Sequence, residues 1–143
     1  MRSNDSWWFD SARSQLPPLR SAAAVPNTYP RTVTQSEREI RMELTVPAGA
    51  PPATPLVLRF TTAPTVMTME RDGRVTRAET TVMWEADAVV RANSMITDGL
   101  PQSGSRDILR LEEDGRVMTY TTEIALPNAS PRVYGRWVYV RGD

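Results

Sequence analysis

Chemistry in this chain must run on few kinds of functional group. Its 143 residues contain no His, no Cys and, among 17 cationic side chains, no Lys. That removes thiol nucleophiles, Ser-His-Asp triads, zinc or haem held by His or Cys, Schiff bases and a phosphate-loop lysine. A general acid or base must then be Asp, Glu or Tyr. Glu79 and Glu123 stand in the bodies of strand-like runs. Turned inward, either would have its pKa raised by desolvation and would serve as a base or proton donor. By strand alternation Tyr139 shares a face with Trp137 and Gly135, so if Trp137 faces inward the Tyr139 hydroxyl does too and needs a partner or a ligand. Glu79, Glu123 and Tyr139 are therefore the catalytic candidates. A solvated position at the rim is the competing reading of each glutamate. Arg59, between Leu58 and Phe60, is a candidate partner for such a Glu or for a ligand carboxylate.

Binding chemistry is richer. Trp7, Phe60, Met67, Met69, Trp84, Tyr120, Trp137 and Tyr139 supply rings and polarizable thioethers, which make adaptable pocket walls. Their competing role is to fill a core. Carboxylates such as Asp98 and Asp107 lack the spacing of a calcium loop, so no metal site is expected, and no cofactor.

These residues need elements to hold them, and the sequence points to strands. Ile40, Met42, Leu44 and Val46 alternate with Glu39, Arg41, Glu43 and Thr45, which is a strand with one apolar face. Leu56–Thr61 reads as another. Val66–Glu70 and Val75–Glu79 flank Asp72-Gly73, the pair favoured in a two-residue hairpin turn with both φ angles positive. Asp114-Gly115 repeats the device between Ile108–Glu112 and Val117–Tyr120. Thr81–Trp84 and Val89–Ala92 bracket the turn Glu85–Ala88, and Val133–Arg141 closes the chain. Helix is confined to a short turn within Ser6–Ser14, after an opening strand. About eight strands at this turn spacing predict an all-β, antiparallel up-and-down barrel, which holds side chains or one small ligand. A single domain over 1–143 is expected, with an extended opening segment (1–30) and a Pro-rich loop (47–55).

The run Ser6-Trp7-Trp8-Phe9-Asp10-Ser11-Ala12-Arg13-Ser14-Gln15-Leu16-Pro17 resembles the opening of small bacterial lipocalin-like (calycin) proteins, which has a Gly-Thr-Trp, a basic-Ser pair and a Pro-containing turn. Trp7 falls on the family's Trp, Arg13-Ser14 on the basic-Ser pair and Pro17 on the turn, while Asp5 stands where the family has Gly. Ser105-Arg106, Glu113–Arg116 and Val138–Arg141 are similar to its closing strands. The resemblance implies a barrel with Trp7 plugging one end and small apolar molecules bound inside. A second likeness, in architecture alone and without a shared motif, is to compact actinobacterial polyketide cyclases, including Diels–Alder-type enzymes.

The leading expectation is therefore a binder of a small, largely apolar molecule. The enzyme alternative is a cofactor-independent cyclase or isomerase that folds a polyketide-like substrate in the same cavity, and a barrel filled solid is the third. Zero net charge argues against a nucleic-acid partner. No run is apolar enough to span a membrane; a homodimer is left open. The opening Met1–Ser6 lacks the apolar stretch of a signal peptide. The cytoplasm is the expected location, with export after removal of a leader as the alternative.

Overall fold

The structure, a computed structural model, describes residues 6–16, 29–46, 48–49 and 57–142. Most of the expected extended opening (1–30) and Pro-rich loop (47–55) lies outside these residues. The strands are β1 (Ser6–Phe9), β2 (Arg31–Gln35), β3 (Glu39–Leu44), β4 (Val57–Thr61), β5 (Thr65–Arg71), β6 (Arg74–Trp84), β7 (Ala88–Thr97), β8 (Leu100–Pro101), β9 (Gly104–Glu112), β10 (Val117–Ala125) and β11 (Arg132–Arg141). One 3₁₀ turn, Glu113–Gly115, is the helical piece among the described residues. None of these residues forms a helix long and apolar enough to cross a membrane.

All pairing is antiparallel, and one sheet runs β4-β3-β2-β1-β11-β10-β9-β7-β6-β5, with β8 beside β7. The first and last strands meet, with Trp7 opposite Arg141 and Phe9 opposite Tyr139. The sheet curls strongly. Five strand spacings separate β4 from β10 in that order, about 24 Å if the sheet were flat. Yet the Phe60 and Tyr120 rings lie 6.1 Å apart, edge to face. The concave side carries the core: Trp7, Val33, Ile40, Met42, Phe60, Val89, Leu109, Met118 and Tyr139.

Two expectations are corrected here. The described residues form eleven strands rather than about eight. The additional ones are short: β8, and β2, whose Arg-Thr-Val-Thr-Gln holds a single aliphatic residue and shows no apolar alternation, while β1 is the expected opening strand. The barrel also stays open, because β4 and β5 form the two ends of the sheet with no ladder between them. Thr62 explains the departure. Its N–H donates to the Arg38 carbonyl and its hydroxyl to that of Glu37, each at 2.8 Å, tying the end of β4 to the β2–β3 turn. Two residues later Pro64 has no N–H to offer a ladder. The chain leaves the core at this point, and all seven residues of β5 are exposed.

The turns follow the Asp-Gly chemistry in part. Asp72 and Gly73 take φ of 52° and 75°, and Arg71 pairs with Arg74 across them. Asp98-Gly99, absent from the strand reading, does the same at 50° and 78°, with Thr97 opposite Leu100. Asp114-Gly115 does not form a two-residue turn. Glu113 joins it with a positive φ of 51°, and the ladder resumes between Glu112 and Val117. The expected turn after the opening strand is present: Asp10 Oδ1 accepts from the N–H groups of Ala12 and Arg13. Ser14 Oγ then accepts from the Val138 N–H at 2.9 Å, holding this segment against β11.

Met118 is fully buried and Met67 is 59% exposed. Met118→Ala is expected to cost about 2–5 kcal/mol in urea unfolding, whereas Met67→Ala should change stability by no more than about 0.5 kcal/mol. Equal losses would place the β5–β6 hairpin within the cooperative core.

Candidate functional site

Strand register sorts the interior into transverse rows. Trp84, Val89, Leu109, Tyr120 and Trp137 are successive partners across β6, β7, β9, β10 and β11. One step along each strand pair on the same face comes a different row: Val82, Arg91, Asp107, Thr122 and Gly135. Next to it lie Thr80, Asn93 and Ser105. An aromatic row therefore borders a polar belt.

The belt centres on Asp107, which is buried. Arg91 donates to its Oδ2 from Nε at 3.1 Å and from Nη2 at 2.8 Å. Asn93 Nδ2 donates to the same oxygen at 3.2 Å, and Thr122 Oγ1 to Oδ1 at 3.1 Å. Asn93 is fixed in turn by Ser105 at 3.0 Å and by the Thr80 hydroxyl at 2.9 Å. The carboxylate is thus fully engaged, as a buried charge must be. Arg91 also crosses the open seam. Its guanidinium carbon lies 4.5 Å from the centre of the Phe60 ring, and Nη1 donates to Thr61 Oγ1 at 3.1 Å. Phe60, Tyr120 and Trp137 gather beside it, the last two 5.6 Å apart. Burial pushes the Tyr120 phenol above its usual pKa, and the negative charge of Asp107 adds to the shift.

At one mouth of the curl, where the β6–β7 turn faces β3 and β9, a half-open cleft of about 210 Å³ reaches the apolar row. Ile40, Val89, Leu109 and Leu111 supply apolar lining, with exposed Trp84 beside them. Arg110 also lines it, paired with Asp87 at 3.2 Å and Glu85 at 3.6 Å.

The candidates from the sequence divide between these surroundings. Phe60, Tyr120 and Trp137 come together, Trp84 lines the cleft, and Trp7 and Tyr139 are buried in the core cluster. Met67 and Met69 are exposed on the projecting hairpin, away from the others. Glu79 and Glu123 occupy alternate positions to the inward Val82 and Tyr120, and so lie on the convex face. Each pairs there with an arginine, Arg77 at 2.7 Å and Arg106 at 4.0 Å respectively. Neither shares the interior with Tyr139. Arg59 is exposed.

Arg91, Asn93 and Asp107 were not among the site candidates. Their signal was available: in β7 and β9 they fall on the same parity as Val89 and Leu109, so any inward assignment of those residues brings the polar groups in as well. Among the described residues no group of three or more carboxylates gathers as a metal site. Comparison with family models finds no match, and neither does comparison with curated proteins.

Asp107→Asn leaves the Arg91 charge without its partner and is expected to cost about 3 kcal/mol in chemical unfolding. A loss below about 0.5 kcal/mol would mean that the belt does not hold the seam. Tyr120 and Tyr139 both have raised folded pKa values. Their contribution is complete below the unfolded-state value of about 10 and is lost as pH rises through the folded values. Stability should therefore fall above about pH 10, and Tyr120→Phe should make that fall shallower in denaturant midpoints taken from pH 8 to 11.

Proposed function

We propose that the chain binds a small, largely apolar molecule, in the manner of lipocalin-like barrels, with the mouth cleft as the point of uptake. The observation that carries this reading is the cleft itself, apolar where it meets the core and charged at Arg110, Glu85 and Asp87. Such a site desolvates an apolar body and leaves a polar substituent in reach of water or a charge. A cavity of about 150 Å³ takes up benzene, so about 210 Å³ suits one substituted ring. Trp84 can close over such a ring with its exposed face. The Arg13-Ser14 pair supports the lipocalin-like reading, since Arg13 bonds Glu113 at 2.9 Å and Ser14 bonds β11, joining the opening segment to the closing strands.

Simple binding is favoured over catalysis by the state of the carboxylates. Asp107 is saturated with donors, Glu79 and Glu123 lie on the convex face, and Glu85 and Asp87 at the cleft are each paired with Arg110. A cyclase working by orientation alone would use the same cleft.

Titration with indole, p-cresol and butylbenzene tests the proposal by calorimetry. At least one should bind with a dissociation constant below about 1 mM, and Trp84→Ala should weaken it about tenfold with little change in stability. Absence of binding by all three, or affinity untouched by both Trp84→Ala and the cleft-filling Leu111→Trp, would overturn it.

A further inference from the structure

Arg31 is the buried cation that the polar belt does not explain. It is 3% exposed, on the concave face of β2, directly opposite Trp7 of β1. Its guanidinium carbon stacks on two rings, 5.2 Å from the centre of Tyr139 and 5.7 Å from that of Phe9. Those rings stabilise the charge, yet they accept no strong in-plane hydrogen bond. Among the described residues Arg31 Nη1 has no hydrogen-bond partner, and Arg31 takes part in none of their ion pairs. The neighbouring Trp7 is 2% exposed, and its indole Nε1 is also without a partner. Burial lowers the Arg31 pKa, but a guanidinium starts so high that it remains charged.

Two buried donors, one of them cationic, thus stand side by side on one face without an acceptor. Leaving either unmet is costly, and the charged one more so. The contrast with Arg91 is direct, because that guanidinium has Asp107, Thr61 and Phe60. We propose that Arg31 and Trp7 form an internal anion-accepting site, filled by the carboxylate of a small organic acid. One carboxylate oxygen accepts from Arg31 Nη1 and the other from the indole N–H of Trp7. The Phe9 and Tyr139 rings beside them suit an apolar remainder. This site does not depend on the mouth cleft, which lies among other residues.

The test compares hexanoate with hexanol and with chloride at equal ionic strength, on the intact chain. The readout is the Trp7 indole ¹⁵N–H resonance, identified by its disappearance in Trp7→Phe. Hexanoate should shift that resonance downfield and bind at least tenfold more tightly than hexanol, and Arg31→Met should abolish the preference. Acetate separates the two sources of the anion: binding equal to that of hexanoate would assign the site to any free carboxylate, and tighter binding of hexanoate to an acid with an apolar tail. Either supports the site. A resonance unmoved by all the acids, or moved equally by hexanoate and hexanol, would overturn it and assign the donors to buried water. Should Arg31→Met fail to fold, the wild-type comparison decides alone.

Discussion

The curl of this sheet is held by one side chain that touches both of its distant parts. Arg91 belongs to β7, but its guanidinium lies over Phe60 and bonds Thr61, both in β4. Seven strand spacings separate those strands along the ladder. Backbone pairing cannot close the gap, because Thr62 is bound to the β2–β3 turn and β5 departs from the core. A charged group with five donors in a rigid plane can span it. Asp107 neutralises and orients that group from the far side, and is itself held by donors from Asn93 and Thr122. Removing the belt would leave Phe60 with weaker reason to face Tyr120.

Much of the fold was legible because a half-buried strand writes itself in steps of two. Ile40, Met42 and Leu44 show the pattern plainly, and the Asp72-Gly73 turn follows from the steric ease of positive φ. The same logic failed where polar residues occupy inward positions. Around Val89-Val90-Arg91 and Asp107-Ile108-Leu109, apolar residues fall on both faces, so alternation does not tell which side is in. Val90 and Ala88 are themselves buried on the side opposite Val89. Position in three dimensions decides these cases. Asp114-Gly115 failed for a different reason: Glu113 took a positive φ, and that lengthened the loop.

The interior therefore has distinct regions with different electrical character. The belt is self-neutralising, with each donor answered by a nearby acceptor. The Arg31 region is not, and its charge is sheltered by rings instead. An apolar row lies along the belt and opens at the mouth near Trp84. Amphipathic guests suit such a gradient better than uniform hydrocarbons do.

In a fully closed barrel, strand number and stagger fix the diameter. A split ring has no such lock. Here the bore is set by the reach of an arginine and the thickness of a phenylalanine, both properties of side chains. Exchange of those two residues for shorter or slimmer ones would retune the calibre through side chains alone, so the gauge of this scaffold can change without a change of topology.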